Sequence, residues 1–282
     1  MDRFTDSLLI IIVIYNRALE ACESFQAVLG MREGNVELNL FVYDNSSTSQ
    51  QIKEYEGLKI TYLHDPDNSG VSRAYNVGVK HAKQSQKEWV LLLDQDTQLP
   101  NSILDDYKRA ITKNTDLNLF VPILKLENGT IFSPSRYRFK RGFYLDRITA
   151  GKHSLFKLTP VNSGIMVKVS AFLKVGGYNE KVKLDFSDYQ FIERFRKQYP
   201  DFYLMDVKCE QDFSDDDSSF ESQSARFKYF CEGAKNMEGQ GSWDWLQYNA
   251  VVFIRAFRLT LRFGKPGFLG IYFKKFLFSS KT

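Results

Sequence analysis

Two aspartates one residue apart close the apolar run "WVLLLDQDT", as Asp94 and Asp96. At a strand end both can turn toward one cation. Hard divalent ions take oxygen ligands, commonly one or two protein carboxylates completed by substrate phosphates. The competing reading is a solvated turn in which Asp96 caps the next helix. A second acidic pair, Asp185 and Asp188, lies three residues apart near an expected helix start. Both can project from one face. A carboxylate there can serve as a general base toward a hydroxyl, or the two can be acids favoured by the helix dipole.

Other polar clusters follow apolar runs in the same way. Asp44 and Asn45 end "LFVYDN". Asp44 can accept hydrogen bonds from a ribose or a base N–H, or organise an Asx turn. Asp67, Asn68, Gly70, Arg73 and Asn76 form a polar loop entering a helix, and helix N-termini attract phosphate. The loop is neither G-x-G-x-x-G nor a P-loop, so dinucleotide oxidoreductases and P-loop ATPases lose their usual support. His64, His81 and His153 have no ligand spacing.

These clusters need elements to hold them. "LLIIIVIY" (8–15) is a β-branched run typical of a strand buried on both faces. A helix is predicted over 17–31, with Leu19, Cys22, Phe25, Val28 and Leu29 on one face. Strands are predicted at 38–47, 59–65 and 89–94, and helices around 48–56, 72–84 and 101–113. Such alternation predicts an α/β fold with a mostly parallel, Rossmann-like sheet and covering helices. Ligands on such sheets bind outside the carboxyl ends of the strands, where all the polar clusters fall. Beyond Leu119, "LFVPIL" and "GTIFSP" suggest a hairpin or mixed-sheet strands. Residues 134–160, rich in Arg, Lys, Tyr and Phe without a period, read as a mobile or substrate-covering loop. A strand and short helix over 162–180, a helix over 185–198 and a strand over 201–214 complete this part.

Composition narrows the class. A chain of 282 residues, 43% hydrophobic, suits one catalytic-size domain with an appendage. Cys22, Cys209 and Cys231 are odd in number and contain no C-x-x-C pair, which favours neither a disulfide framework nor a zinc site. A reducing cytoplasm is expected. No secretory leader is read at the start, and no uncharged stretch of about 18 residues suggests a membrane span.

Taken together, "VIYNR" (13–17), "VYDNSS" (42–47), "NSGVSRAYNVG" (68–78), "LLLDQDT" (91–97), "NSGIMVK" (162–168) and "DFSDYQFIERF" (185–195) resemble the inverting family 2 glycosyltransferases of GT-A fold, in the family's order. The "DQDT" form is most similar to the rhamnosyltransferase-like branch, which builds bacterial surface polysaccharides. The resemblance implies a transferase domain over 1–215, with a nucleotide-binding half (1–115) and an acceptor-binding half (116–215). It implies that Tyr15, Asn16, Arg17, Asp44 and Asn45 hold the base and ribose. Asn68, Arg73 and Asn76 would lie near the ribose and pyrophosphate. Asp94 and Gln95 would face the ribose or metal, and Asp94 and Asp96 would hold Mn²⁺ or Mg²⁺ at the diphosphate. Ser163 and Gly164 would border the donor sugar, and Asp188 would be the base. Many relatives carry a His after the last strand that supports the metal or diphosphate. Here that stretch is "CEQDFS", leaving Gln211 and Asp212 for the task.

Residues 216–282 lie outside the resemblance and are expected to form a helical, basic-aromatic extension. From Ser242 onward seven Lys and Arg residues face one acid, Asp244. Arg255, Arg258 and Arg262 recur at helical spacing among large apolar residues. This reads as an amphipathic helix that anchors the protein peripherally at the inner face of the cell membrane. A helix packing on the sheet and a homodimer interface are the rival readings. Nucleic acid is disfavoured by the aliphatic and aromatic content.

The expected activity is transfer of a sugar from a nucleoside diphosphate donor, such as dTDP-rhamnose, to a hydroxyl of a saccharide acceptor carried on lipid. Rivals are a UDP-galactose or UDP-glucose transferase, a nucleotidyltransferase and a non-catalytic nucleotide-sugar-binding protein. A nucleotidyltransferase would want a Gly-rich basic loop after the first strand, where this chain has Asn16-Arg17-Ala-Leu-Glu.

Overall fold

The computed structural model describes residues 3–32, 37–211, 219–239 and 241–278. A short helix α1 (Arg3–Asp6) precedes strand β1 (Leu8–Ile14), whose seven residues are all buried. Alternate residues serve opposite cores. Leu8, Ile10, Ile12 and Ile14 enter one layer, and Leu9, Ile11 and Val13 the other, as the two-residue period of a strand requires.

The predicted helix over 17–31 is broken. A 3₁₀ turn (Leu19–Ala21) and helix α2 (Glu23–Gly30) are separated by Cys22 in an extended conformation. Leu19, Cys22, Phe25 and Val28 are buried, whereas Leu29 is only half-buried. Strands β2 (Leu38–Asp44) and β3 (Leu58–His64) pair in parallel. The helix expected around 48–56 is absent. The Gln50 backbone N–H is donated to Tyr62 Oη at 3.1 Å instead of to a helical carbonyl, and its side-chain amide bonds to Leu19, Arg17 and Asp44. Helix α3 (Val71–Gln84) and strand β4 (Trp89–Asp94) follow as expected.

The order β3-β2-β1-β4 is parallel throughout. A two-residue strand β5 (Thr97–Gln98) and helix α4 (Ile103–Lys113) lead into β6 (Leu119–Lys125). The second half of the sheet is mixed. Strand β7 (Ile131–Arg138) is antiparallel to β6, and β8 (Arg141–Leu145) is antiparallel to β7. Strand β9 (Gly151–Ser154) is followed by β10 (Ile165–Lys168), which inserts antiparallel between β4 and β6. About half of residues 134–160 is therefore strand, against the expected loop. The tight turn Phe139-Lys140 has positive φ at both residues (49° and 57°), the backbone form that closes two-residue hairpins. Neither face of its arms is uniformly apolar, so the alternation that signals a strand is hidden.

Helices α5 (Val169–Lys174) and α6 (Ser187–Phe195) precede the last strand β11 (Asp201–Gln211). Helix α7 (Phe220–Asn236) starts at Ser219, whose hydroxyl accepts from the Ser222 N–H. Helix α8 (Ser242–Phe263) ends at Gly264 in the left-handed region, the usual helix stop. Helix α9 (Gly267–Ile271) and a π-helical turn (Tyr272–Leu277) finish the described chain.

The extension is packed rather than tethered. A third core joins Val182 and Phe186 to Phe227, Phe230, Tyr248 and Phe268. The loop leading into α6 is thereby gripped by α7 and α8, a contact that positions the site described next.

Candidate active site

The ends of β1, β2 and β4 lie side by side because their registers align Ile14 with Asp44 and Val13 with Asp94. Asp94 is fixed from three directions. Its carboxylate accepts from Tyr75 Oη at 2.7 Å, its N–H donates to Ser163 Oγ at 3.0 Å, and its carbonyl accepts from Ser24 Oγ. Thr97 Oγ1 and Ser163 Oγ share a 2.6 Å hydrogen bond. The Asp94–Thr97 turn is thus held rigidly from below.

Gln95 turns toward β1, where its Oε1 accepts from the Tyr15 N–H at 2.8 Å. Tyr15 itself is exposed. Asn16 has φ 51°, and its N–H donates to Ser46 Oγ at 2.8 Å. Arg17 pairs with Glu23 at 2.6 Å.

Asp96 meets Gln211 because β5 pairs with the end of β11, setting Thr97 opposite Gln211. Gln211 Nε2 donates to Asp96 Oδ1 at 3.0 Å, and the buried Gln211 Oε1 has no partner. A buried acceptor without a donor is costly, and here it sits beside a carboxylate. Asp96 and Gln211 together offer hard oxygen donors, the set Mg²⁺ or Mn²⁺ prefers when water and phosphate supply the rest. The residues fit such a cation. Among the described residues, no cluster of three or more His, Cys, Asp or Glu forms a complete protein cage. Asp212 lies outside the described residues.

Electrostatics draw Asp94, Asp96 and Asp188 into one group. Burial, joined by repulsion from Asp188 and opposed by the Tyr75 hydrogen bond, pushes Asp94 up to about 6. Burial and the charge of Asp94 push Asp96 up to about 7. Burial, joined by the charge of Asp185, pushes Asp188 up to about 6. Three carboxyls raised together require a counter-charge to ionise comfortably.

Asp188 lies in the first turn of α6, accepting from the Tyr189 N–H at 2.8 Å. Phe186, at φ 72°, bends the chain into that helix. Asp185 is 3.6 Å from Arg255 on α8, so the extension helps set the position of the turn that bears Asp188.

Several sequence-predicted residues are structural supports here. Asp44 is fully buried and accepts from Tyr62 Oη (2.7 Å), Gln50 Nε2 (3.0 Å) and the Ser46 N–H (2.9 Å). Burial alone would raise its carboxyl, but these hydrogen bonds outweigh that and hold it below the ordinary value. Asn45 is buried and receives the Gly70 N–H at 3.4 Å. Asn76 spends its amide on Tyr178 and Glu180, at 2.9–3.0 Å. Ser163 and Gly164 are buried under the Asp94 turn. Gly164 is at φ 77°, where a Cβ would lie 2.7 Å from Pro122. Asn68, at φ 46°, and the exposed Arg73, 4.0 Å from Glu180, stay at the mouth of the α3 loop. Gly70 has φ 91°, and a Cβ there would lie 2.3 Å from the Lys183 carbonyl. Only glycine lets this loop pack on the segment leading to Asp188.

Sequence reading missed Tyr75, Ser24 and Thr97, which orient the acidic turn. Tyr75 lies inside the quoted "NSGVSRAYNVG" stretch, but nothing in the spacing shows that its hydroxyl reaches Asp94. Tyr178 was missed as well. It stacks on Phe191 at 4.4 Å and donates to Asn162 at 2.8 Å, forming an aromatic floor near Asp94 and Asp188.

A parallel half-sheet with acidic strand ends, joined to a mixed half that brings a further aspartate to them, is the GT-A architecture of sugar-nucleotide transferases. The chain belongs to glycosyl transferase family 2, whose model matches residues 9–172. Asp188 and Gln211 lie beyond the matched segment. The fold is similar to that of S. aureus TarS 1-349 (TM-score 0.55, 15% identity, 95% of this chain and 72% of that one). The UDP-GlcNAc complex of the same protein also matches (TM-score 0.55, 15% identity, 96% and 73%). A third similar structure is the Pyrobaculum calidifontis mannosyltransferase PcManGT with GDP-Man and Mn²⁺ (TM-score 0.54, 13% identity, 88% and 69%). No curated protein sequence matches the chain significantly.

Proposed function

We propose that the protein transfers a sugar from a nucleoside diphosphate donor to an acceptor hydroxyl with inversion at the anomeric carbon. The observation that carries this reading is the placing of Asp94 and Asp96 at the carboxyl end of β4, beside the ends of β1 and β2, with the charge of Asp188 felt at Asp94. The similar folds that hold UDP-GlcNAc or GDP-Man with Mn²⁺ support a nucleotide-sugar donor. The resemblance of "DQDT" and the Asp185–Asp188 helix start favours dTDP-rhamnose over UDP-hexoses.

Tyr15 offers its exposed ring beside the β1 end, suited to stacking on the base. Asp44 acts indirectly, by holding the 44–50 turn in shape. Asn68 and Arg73 flank the phosphates. Asp96 and Gln211 would hold Mn²⁺ or Mg²⁺, with Asp94 facing it, and such an ion would supply positive charge at the leaving diphosphate.

Asp188 takes the acceptor hydroxyl proton as that oxygen attacks the anomeric carbon. The bond to the diphosphate breaks on the opposite face, and the nucleoside diphosphate leaves with the electron pair. A base held near 6 is mostly ionised at neutral pH yet stronger than an ordinary carboxylate, which favours proton transfer. Replacing Asp188 with Asn should abolish transfer while donor binding persists; full activity in that variant would sink the base assignment.

A further inference from the structure

Helix α8 is apolar on two opposite faces. One carries Tyr248, Val252, Ala256 and Leu259, all buried in the third core. The other carries Trp243, Leu246, Phe253, Phe257 and Leu261, spaced to line a single ridge, and all are exposed. Trp243 and Leu261 are each 67% exposed. A helix that faces water on its outer side normally carries polar residues there. The ridge runs about 27 Å along the helix. Phe273 and Phe278 of the last segment are exposed as well.

The exposed charges of α8 and the segment after it are basic. Arg258, Arg262, Lys265 and Lys274 are exposed. The one acid of α8, Asp244, is bound at 2.7 Å by Lys140 of the β7–β8 turn. The arms of that hairpin add exposed Phe143 and Tyr144, with Arg138 and Arg141 beside the turn. Large apolar groups edged by bases suit a surface that is apolar below and anionic above. No helix among the described residues is long and apolar enough to cross a membrane, so the fitting geometry is a helix lying in the interface.

We infer that the outer face of α8, with the adjoining β7–β8 hairpin, docks on a membrane surface of anionic lipid and holds the catalytic site against it. The link to the site is direct. Arg255, from the same helix, contacts Asp185 at 3.6 Å and stands 4.1 Å over the Phe230 ring. Tyr137 of β7 stacks at 4.2 Å on Tyr189, the neighbour of Asp188. A docked α8 therefore sets the base relative to the lipid surface, where an acceptor carried on a lipid would be met. Only this last step rests on the proposed transferase reading. Docking itself does not, and it can be read without donor or turnover.

The test is flotation of the full chain with phosphatidylcholine vesicles, with and without phosphatidylglycerol. The chain should float with the anionic vesicles and detach as salt rises. Phe257→Glu with Leu261→Glu should weaken partitioning at least about tenfold. Arg258→Gln with Arg262→Gln should weaken it on the order of 30-fold on anionic vesicles only, since each base near such a surface contributes roughly fivefold. Thermal melting matched to wild type shows that each variant is folded, and Trp243→Ser replaces any that is not. Wild-type protein left in the supernatant with both vesicle types would overturn the inference, as would flotation that both double variants retain. A soluble dimer that Leu261→Glu converts to monomer would also overturn it, assigning the face to a second copy of the chain. Donor turnover lost with docking intact would strike the transferase reading alone.

Discussion

Asp96 offers the sharpest separation of stability from function. Burial and the neighbouring Asp94 push its carboxyl from the ordinary 3.8 to about 7. Each factor of ten in proton affinity corresponds to about 1.4 kcal/mol, so full ionisation opposes folding by at most about 4 kcal/mol. Water reaching the half-buried group lowers this, and an apparent gain of about 1–2 kcal/mol is expected when the charge is removed. Asp96→Asn keeps the shape and an acceptor for Gln211 Nε2, so it should raise the metal-free protein's Tm by about 2–6 °C at pH 8. The sign follows from linkage. A carboxyl raised in the folded state favours folding while protonated, and that contribution is lost as pH rises through about 7. The advantage of the Asn variant should therefore shrink below pH 7 and vanish near pH 4. Added Mn²⁺ should stabilise the wild type through preferential binding to the native state and leave the variant almost unchanged. Differential scanning fluorimetry in EDTA and in Mn²⁺ reads both. A variant less stable than wild type at pH 8, or one stabilised equally by Mn²⁺, would refute the reasoning.

Three further outcomes follow. With the metal saturating, kcat/KM should fall about tenfold per pH unit below about 6, the value of Asp188, and level off above it; a flat profile from pH 5 to 8 would remove Asp188 from proton transfer. Gly70→Ala should cost at least about 2 kcal/mol in denaturant unfolding, because it combines positive φ with a backbone collision at Lys183; an unchanged midpoint would mean the loop is not fixed there. Gln211→Leu removes both the Asp96 hydrogen bond and the partnerless oxygen, and should weaken Mn²⁺ binding in calorimetry by about tenfold or more; equal affinity would show that Gln211 takes no part in holding the ion.

The strands of the parallel half were legible because β1 and β4 are continuous apolar runs bounded by polar residues. "WVLLLD" became β4 over the expected residues. The D-x-D pair was legible as two acids closing such a run, and that they hold a cation is part of the proposal. The division of labour among the polar residues was not. Asp44 bonds to Tyr62, 18 residues away, because β2 and β3 align Val42 with Tyr62. Asn76 closes on Tyr178, 102 residues away. Such pairs are products of register and packing, and no local pattern encodes them. The β7–β8 hairpin escaped because its arms mix Arg with aromatics on both faces. The amphipathic reading of α8 captured the basic edge but placed Arg255 on it, whereas Arg255 turns inward to Asp185. It also missed the second apolar face, which helical spacing shows only once the buried face is known.

The central claim is single-displacement transfer by Asp188 at a metal-assisted donor site. Its most direct measurement is turnover of a panel of dTDP- and UDP-sugars with Mn²⁺ and a saccharide acceptor, following nucleoside diphosphate release and the product's anomeric configuration by NMR. One donor class should be consumed, the product should carry the opposite anomeric configuration to the donor, and Asp188→Asn should stop transfer. A product with retained configuration, or equal turnover by wild type and Asp188→Asn, would contradict it.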